Sequence, residues 1–481
     1  MQIPALSDLA LTADQPLQRQ LYQAFSLRIR DGLWSEGQRL PASRQIASDL
    51  GVSRNTVTGA LSQLIAEGFL VARPGSGTFV AAGFERHQPE AVNWQQQPQL
   101  PGLSHYGTAL AAKAMPEVHV QLPFTLGIPD LRAFPLSVWN RVQRQQQDRL
   151  HLLGYDGYQG YAPLREALAD YLRVSRQVQC HADQIVITQG AQQAISLCAQ
   201  VLLDPGDPVL VENPGYVGAR RALQAHAAAL TPVDVDHRGL QPAQLPAASA
   251  AKIMYITPTH HYPLGGIMSA PDRLELLDWA ARTGTWLIED DYDSEFHFHG
   301  HPIAALQGMA AQTPVLYLGS FSKTLFPALR LGYLVLPEPL VGSFLHAKRH
   351  MDGESPLLQQ ATVAQFVQEG HFQRHLRRMR VRYREKWEHL SALIASELDG
   401  LATPVAESAG MHLVLRIPGV NDDALVRDLT DAGFGGTALS SYYVGQDRPT
   451  GLALGFANTD ERQRIAGVCR LRELILSHRK S

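Results

Sequence analysis

Apolar positions in the first part of the chain recur with helical spacing and then give way to short runs. Leu17, Leu21, Phe25 and Ile29 stand four apart, which predicts a helix from Gln15 with one buried face, stopped by Asp31-Gly32. After LWSEGQRLP, Ser43 reads as the cap of a short helix through Leu50, Gly51 makes a turn, and Ser53 caps a further helix reaching about Glu67. In that last helix Val57, Leu61, Leu64 and Ile65 share a core stripe, while Arg54, Asn55, Thr58 and Ser62 recur on the opposite face. FLVARPGSGTFVA follows as two short strands about the glycine-rich turn Arg73 to Gly77, the pattern of a wing after a helix-turn-helix.

Between Ala81 and about Glu117 the chain is rich in Gln, Pro and His with no sustained period, as a linker would be. Beyond Val118, β-branched runs (QIVITQ, PVLVEN, KIMYIT, TWLIEDD, VLYLGS, LRLGYLVLP) alternate with helical patterns, which predicts an α/β unit with a mostly parallel sheet. The expected organisation is residues 12–82, a linker over 83–117, and a large unit over 118–481.

Length and composition narrow the picture. At 481 residues the chain is roughly three times an ordinary domain of about 150 residues, so more than one folding unit is required. Apolar residues at 45% with charged residues at 18% exclude a largely disordered chain. No window approaches eighteen uninterrupted apolar residues, and the N-terminus lacks a basic region leading into an apolar stretch; a cytoplasmic location without membrane association is expected. Cys180, Cys198 and Cys469 are far apart with no CxxC pair, which argues against a disulfide framework or a cysteine zinc site. With a net charge of -3, any nucleic-acid surface must be local.

Residues 12–82 supply that locality, with seven arginines, no lysine and five acidic residues. A small helical docking module would share the pattern. Arginine nevertheless suits DNA, because its fork pairs bidentately with phosphate or guanine. Arg44 and Arg54 fall in the first turns of the second and third helices, where helix N-termini already favour phosphate. The string GQRLPASRQIASDLGVSRNTVTGALSQLIAEGFLVARPGSGTFV resembles the winged helix-turn-helix of GntR-type bacterial regulators. That resemblance implies binding to double-stranded operator DNA through Arg44, Arg54, Asn55 and Thr56, with Gly75 and Ser76 at the wing tip.

In the large unit four strings converge on one chemistry. Gly319-Ser320-Phe321-Ser322-Lys323-Thr324 follows a strand and is trailed by Arg330. Ligands of open α/β sheets gather outside the carboxyl ends of strands; a lysine there, among apolar neighbours, can lose its proton and attack an aldehyde, while Ser320, Ser322 and Arg330 bind a phosphate. TWLIEDDYDSEF ends another strand in acids, so that Asp290 could pair with a pyridinium nitrogen and Tyr292 with a ring hydroxyl; an acidic loop or a divalent-cation site is the other reading. ITQGAQQAI places Ala191 and Gln192 at a helix start suited to phosphate, and VENPGY offers Tyr216 as a stacking ring.

Together these strings resemble a fold-type-I aminotransferase that binds pyridoxal 5'-phosphate, from about residue 122 onward. A GntR-like domain joined to this module resembles the MocR-type (GabR-like) transcriptional regulators. The resemblance implies that Lys323 forms the aldimine, and it gives Asp290, Tyr292 and Tyr216 the roles above. It also implies a homodimer, domain-swapped over the linker, in which Tyr155 serves the phosphate of the neighbouring subunit. Two departures stand out. The loop His260-His261-Tyr262-Pro263-Leu264-Gly265 puts Tyr262 where related enzymes aim an amide at the ring hydroxyl, and LALGFA puts Ala453 where they carry the arginine that grips a substrate carboxylate. Either Arg448 or another arginine substitutes, or the effector is not held as an ordinary amino acid.

Two further features have plain readings. His297, His299 and His301 alternate in the manner of a metal site but read better as surface histidines, and no resident metal is expected. The basic run Arg374 to Lys386 reads as the solvated face of a packed helix rather than as extra DNA footprint. The functional expectation is a pyridoxal-phosphate-dependent transcriptional regulator that senses a small amine, an amino acid or the cofactor itself, without efficient turnover. The alternative is a working aminotransferase with an accessory DNA-binding domain.

Overall fold

The computed structural model describes residues 9, 11–12, 15–83, 102–111, 122–298, 303–310, 313–405, 409–446 and 448–479. Helix α1 (Leu17–Arg30) turns Leu21, Phe25 and Ile29 inward, into one cluster with Trp34, Val57, Ala60 and Leu64. Helix α2 (Ser43–Leu50) ends at Gly51, whose φ of 65° closes the turn without a Cβ clash. Ser43 differs from expectation. The Ala42 carbonyl already accepts the Ile46 N–H at 3.1 Å, so the helix starts one residue earlier, Ser43 is its first residue, and Ala42 brings no side-chain cap. Helix α3 (Arg54–Ala66) does begin on a serine cap: Ser53 Oγ accepts the Thr56 N–H at 3.1 Å. Strands β1 (Leu70–Arg73) and β2 (Gly77–Val80) form the expected antiparallel hairpin.

The chain divides into residues 1–112 and 113–481. Residues 84–101 and 112–117 of the expected linker lie outside the described residues. Within that span a short helix, α4 (His105–Ala111), starts where Ser104 Oγ accepts the Gly107 N–H at 3.0 Å, a cap hidden by the surrounding composition.

The second unit is built on a seven-stranded sheet of order β3-β9-β8-β7-β6-β4-β5. Its strands are β3 (Ile185–Thr188), β4 (Pro208–Asn213), β5 (Ala229–Asp234), β6 (Ile253–Ile256), β7 (Trp286–Asp290), β8 (Val315–Ser320) and β9 (Gly332–Val335). Only β9 runs against its neighbours, so the mostly parallel sheet is as expected. Alternation along the strands sends Val209, Ile288 and Leu316 to one face, against α7 (Ala191–Leu202), α8 (Val217–Ala225) and α10 (Glu338–Met351). Leu210, Met254 and Leu287 go to the other face, against α9 (Ala270–Thr283), while Ile185, Ile187 and Tyr333 share a cluster with residues of α5 (Leu136–Gln147), α6 (Ala162–Arg176), α11 (Leu357–Gln368) and α12 (His371–Glu397).

A smaller antiparallel sheet, absent from the sequence reading, has the order β10-β11-β13-β12. It comprises β10 (Thr403–Pro404), β11 (His412–Arg416), β12 (Thr437–Ala438) and β13 (Gly451–Gly455), with α13 (Asp422–Asp431) and α14 (Glu461–His478) alongside. Among the described residues no helix is long and apolar enough to cross a membrane.

Candidate functional site

Parallel strands deliver their carboxyl ends to one edge, and the loops leaving that edge enclose a cleft of about 270 Å³. Lys323, Asp290, Tyr292, Tyr216, Ala191, Gln192, Ser320, Ser322 and Arg330 all line it. Residues spread over 140 positions of sequence thus meet because β7, β8 and the start of α7 end together.

Lys323 follows β8 and donates from Nζ to the Gly127 carbonyl at 2.9 Å. Gly127 has a φ of 72°, a backbone conformation that favours glycine, and a Cβ added there would stand 2.2 Å from that nitrogen, so the lysine end would have to move. Burial pushes the lysine pKa down, with Asp293 and then Asp290 pulling the other way. Asp290 ends β7 and is pushed up to about 7 by burial, partly relieved by the Tyr255 hydroxyl, which donates to Oδ2 at 2.5 Å. Its other oxygen, Oδ1, is buried without a hydrogen-bond partner. A buried carboxyl oxygen left without a partner, on a residue that lines a cleft, is a polar atom in want of a hydrogen bond.

Beside it, His260 Nδ1 stands 2.9 Å from Asp293 Oδ1 and 2.8 Å from the Tyr292 hydroxyl. A nitrogen bearing one hydrogen between a carboxylate and a phenol donates to the carboxylate, which leaves the phenol its own hydrogen to direct into the cleft. At the other end, α7 begins after Gly190, which has φ 93° and supplies no side-chain cap, so the first N–H groups of the helix are open to an anion. Ser320 Oγ accepts the Ser322 N–H at 3.1 Å, and Arg330 donates to the Gln189 carbonyl at 3.1 Å, which fixes both groups near that helix start. The Tyr216 hydroxyl accepts from Gln192 Nε2 at 3.1 Å, and its ring meets Tyr262 edge-on at 5.7 Å.

Other expected residues fall elsewhere. Tyr155 lies outside the cleft and is 94% exposed. Arg448 is exposed and donates to the Gly445 carbonyl, so it does not stand in for the arginine absent at Ala453. His297 is half-buried and its backbone bridges to Ala409; His299 and His301 lie outside the described residues. The basic run is largely spent within its own unit. Arg378 and Arg380 donate to the Ala133 and Glu295 carbonyls, and Arg382 and Lys386 both hold Asp130. Tyr255, His260, Asp293 and His412 were missed. Only the tyrosine inside the apolar run KIMYIT carried a signal, since a buried phenol needs a partner.

In the first unit Arg44, Arg54, Asn55, Gly75 and Ser76 are exposed, and Thr56 is half-buried with its hydroxyl 2.7 Å from Ser53 Oγ. Among the described residues neither Arg44 nor Arg54 is tied to a carboxylate. Arg39, also missed, reaches the wing beside Gly77 and lines a groove with Ser43, Thr58 and Ser62.

Comparison with known proteins agrees with both geometries. Residues 17–80 match the family described as bacterial regulatory proteins, gntR family, and residues 123–464 match aminotransferase class I and II. The chain is 37% identical to a probable rhizopine catabolism regulatory protein, MocR, of Rhizobium meliloti, over 97% of this chain and 95% of that one. It is 36% identical to the transcriptional regulator TauR of Rhodobacter capsulatus, over 79% of each chain. Among solved structures, LysN, an alpha-aminoadipate aminotransferase from Thermus thermophilus complexed with N-(5'-phosphopyridoxyl)-L-leucine, superposes with a TM-score of 0.69 at 27% identity, covering 75% of this chain and 93% of that one.

Proposed function

This chain belongs to the MocR-type transcriptional regulators, in which a gntR-family DNA-binding domain is joined to a class I and II aminotransferase domain, and from that membership we propose that it is a pyridoxal-phosphate-dependent switch. Class I and II aminotransferases typically use that cofactor. The proposal is that the second unit holds it on Lys323 and through it senses a small amine, an amino acid or the free cofactor, while the first unit binds operator DNA. One observation carries the reading. Asp290, whose Oδ1 is buried without a hydrogen-bond partner, and Lys323 line the same cleft.

When bound, the cofactor supplies an aldehyde carbon open to amines and a ring that withdraws electrons. The remaining work falls to this chain. The first N–H groups of α7, at Ala191 and Gln192, bind the phosphate together with Ser320, Ser322 and Arg330. Asp290 Oδ1 holds a proton on the ring nitrogen, the Tyr292 hydroxyl donates to the ring oxygen, and Tyr216 covers a ring face. Burial favours the neutral, nucleophilic form of Lys323.

Regulation is favoured over turnover by position 453. Fast transamination requires the substrate to be held with its Cα–H bond perpendicular to the ring, and an arginine on the carboxylate is the usual means. Ala453 is buried on β13 and cannot supply it. The proposed assembly is a homodimer, which gives the exposed Tyr155 a phosphate to serve in the neighbouring site. The test uses purified full-length protein loaded with cofactor. Wild type should show a visible absorption band and a borohydride-trapped adduct, both absent from folded Lys323→Ala. A reducible adduct that persists in that variant removes Lys323 from the role.

A further inference from the structure

The cleft also constrains what an incoming amine can carry at its other end. Among the described residues its only cationic side chains are Lys323 and Arg330, and the reading above commits both to the cofactor. Its acids are Asp290 and Asp293. At position 453 the alanine is 0% exposed and clustered with Leu264, Val414, Leu439 and Tyr442, so the socket that would seat a guanidinium is filled with apolar atoms. Arg220 gives no substitute, because it is itself buried and donates to the Tyr442 and Ser441 carbonyls.

What remains on this wall is uncharged or negative. His412 donates from Nε2 to the Pro263 carbonyl at 2.8 Å, which leaves Nδ1 as a bare acceptor; burial, with His260 next, pushes its pKa down to about 4, so the ring is neutral near pH 7. The Tyr262 hydroxyl is 3.1 Å from that of Tyr442, and the Asp293 carboxylate is held by His260. A carboxylate brought here would lose water, find neutral hydroxyls in place of a cation, and stand near a second carboxylate. A hydroxyl would find acceptors for its hydrogen and would carry no charge to repel.

We propose that the effector is a primary amine without a carboxylate, bearing hydroxyl groups where an amino acid bears its acid. The inference rests on the cofactor being held at Lys323. It is tested with cofactor-loaded full-length protein and three matched pairs: serine and serinol, leucine and leucinol, phenylalanine and phenylalaninol. Half-saturation of the visible spectral change should come at a concentration at least about tenfold lower for the amino alcohol than for its parent acid, a difference of about 1.4 kcal/mol. An acid that binds as tightly as its alcohol in any pair, or silence from all three alcohols, overturns the proposal. A protein with no visible band before any amine is added fails earlier, at the cofactor reading.

Discussion

At Asp290 the stability of the fold and its affinity for cofactor pull in opposite directions, and Asp290→Asn separates them. The carboxyl is 5% exposed, and burial pushes its pKa up to about 7 despite the Tyr255 hydroxyl on Oδ2. An unfolded chain would hold it at ~3.9. Because the folded value lies above the unfolded one, this group costs the cofactor-free protein nothing below about pH 4; the cost grows through the window and is complete above about pH 7. Three units at ~1.4 kcal/mol each set a ceiling of roughly 4 kcal/mol. Asparagine keeps the shape and the acceptor for Tyr255 but cannot ionise. Cofactor-free Asp290→Asn protein should therefore melt above its parent at pH 8, with the gap closing toward pH 4.5. Cofactor affinity should move the other way. A charge-assisted hydrogen bond to the ring nitrogen exceeds a neutral one by ~1.4 kcal/mol, which is about tenfold in Kd. Calorimetry of the cofactor-free protein across that pH range reads the first effect, and an absorbance titration with pyridoxal phosphate reads the second. A variant less stable than its parent at pH 8 contradicts the buried-charge argument; an unchanged Kd removes Oδ1 from the ring nitrogen.

Three further outcomes are expected. Arg54→Ala and Arg44→Ala should each weaken operator binding by ~1–3 kcal/mol in fluorescence anisotropy, with a shallower salt dependence where the lost contact was to phosphate; unchanged affinity in both would contradict recognition through these helix starts. Tyr155→Phe should lower cofactor affinity several-fold while leaving the isolated fold intact, because its side chain is 94% exposed and bonds nothing within the described chain; equal affinities would rule out a phosphate site shared between subunits. Keto-acid release by the wild-type protein should stay far below the ordinary enzyme range of ~1–1000 per second, and steady transamination within that range would establish the aminotransferase alternative.

The sequence by itself determined what depends on neighbours along the chain. The four-residue spacing of Leu17, Leu21, Phe25 and Ile29, the Ser53 cap and the glycines of the wing tip are local devices, and the first unit follows them with a one-residue shift at Ser43. The strands that carry Asp290 and lead into Lys323 were legible for the same reason, since a β-branched run ending in acids or in SxSK announces both the strand and its exit. Tertiary structure decided the rest. The small sheet escaped notice because β10 and β12 are two residues each, too short to show a period, and the five-residue β11 and β13 become a sheet only by pairing across distant sequence. Tyr255 reaches Asp290 only because β6 pairs with β7, and His260 meets Asp293 and Tyr292 only where two loops converge. Ala453 made an arginine's absence readable, but the burial of its socket and the neutral His412 beside the cleft come from packing between distant segments. Periodicity fixes what a residue can form with its neighbours in sequence; burial, and with it the charge state of each group in the cleft, is fixed only when those segments meet.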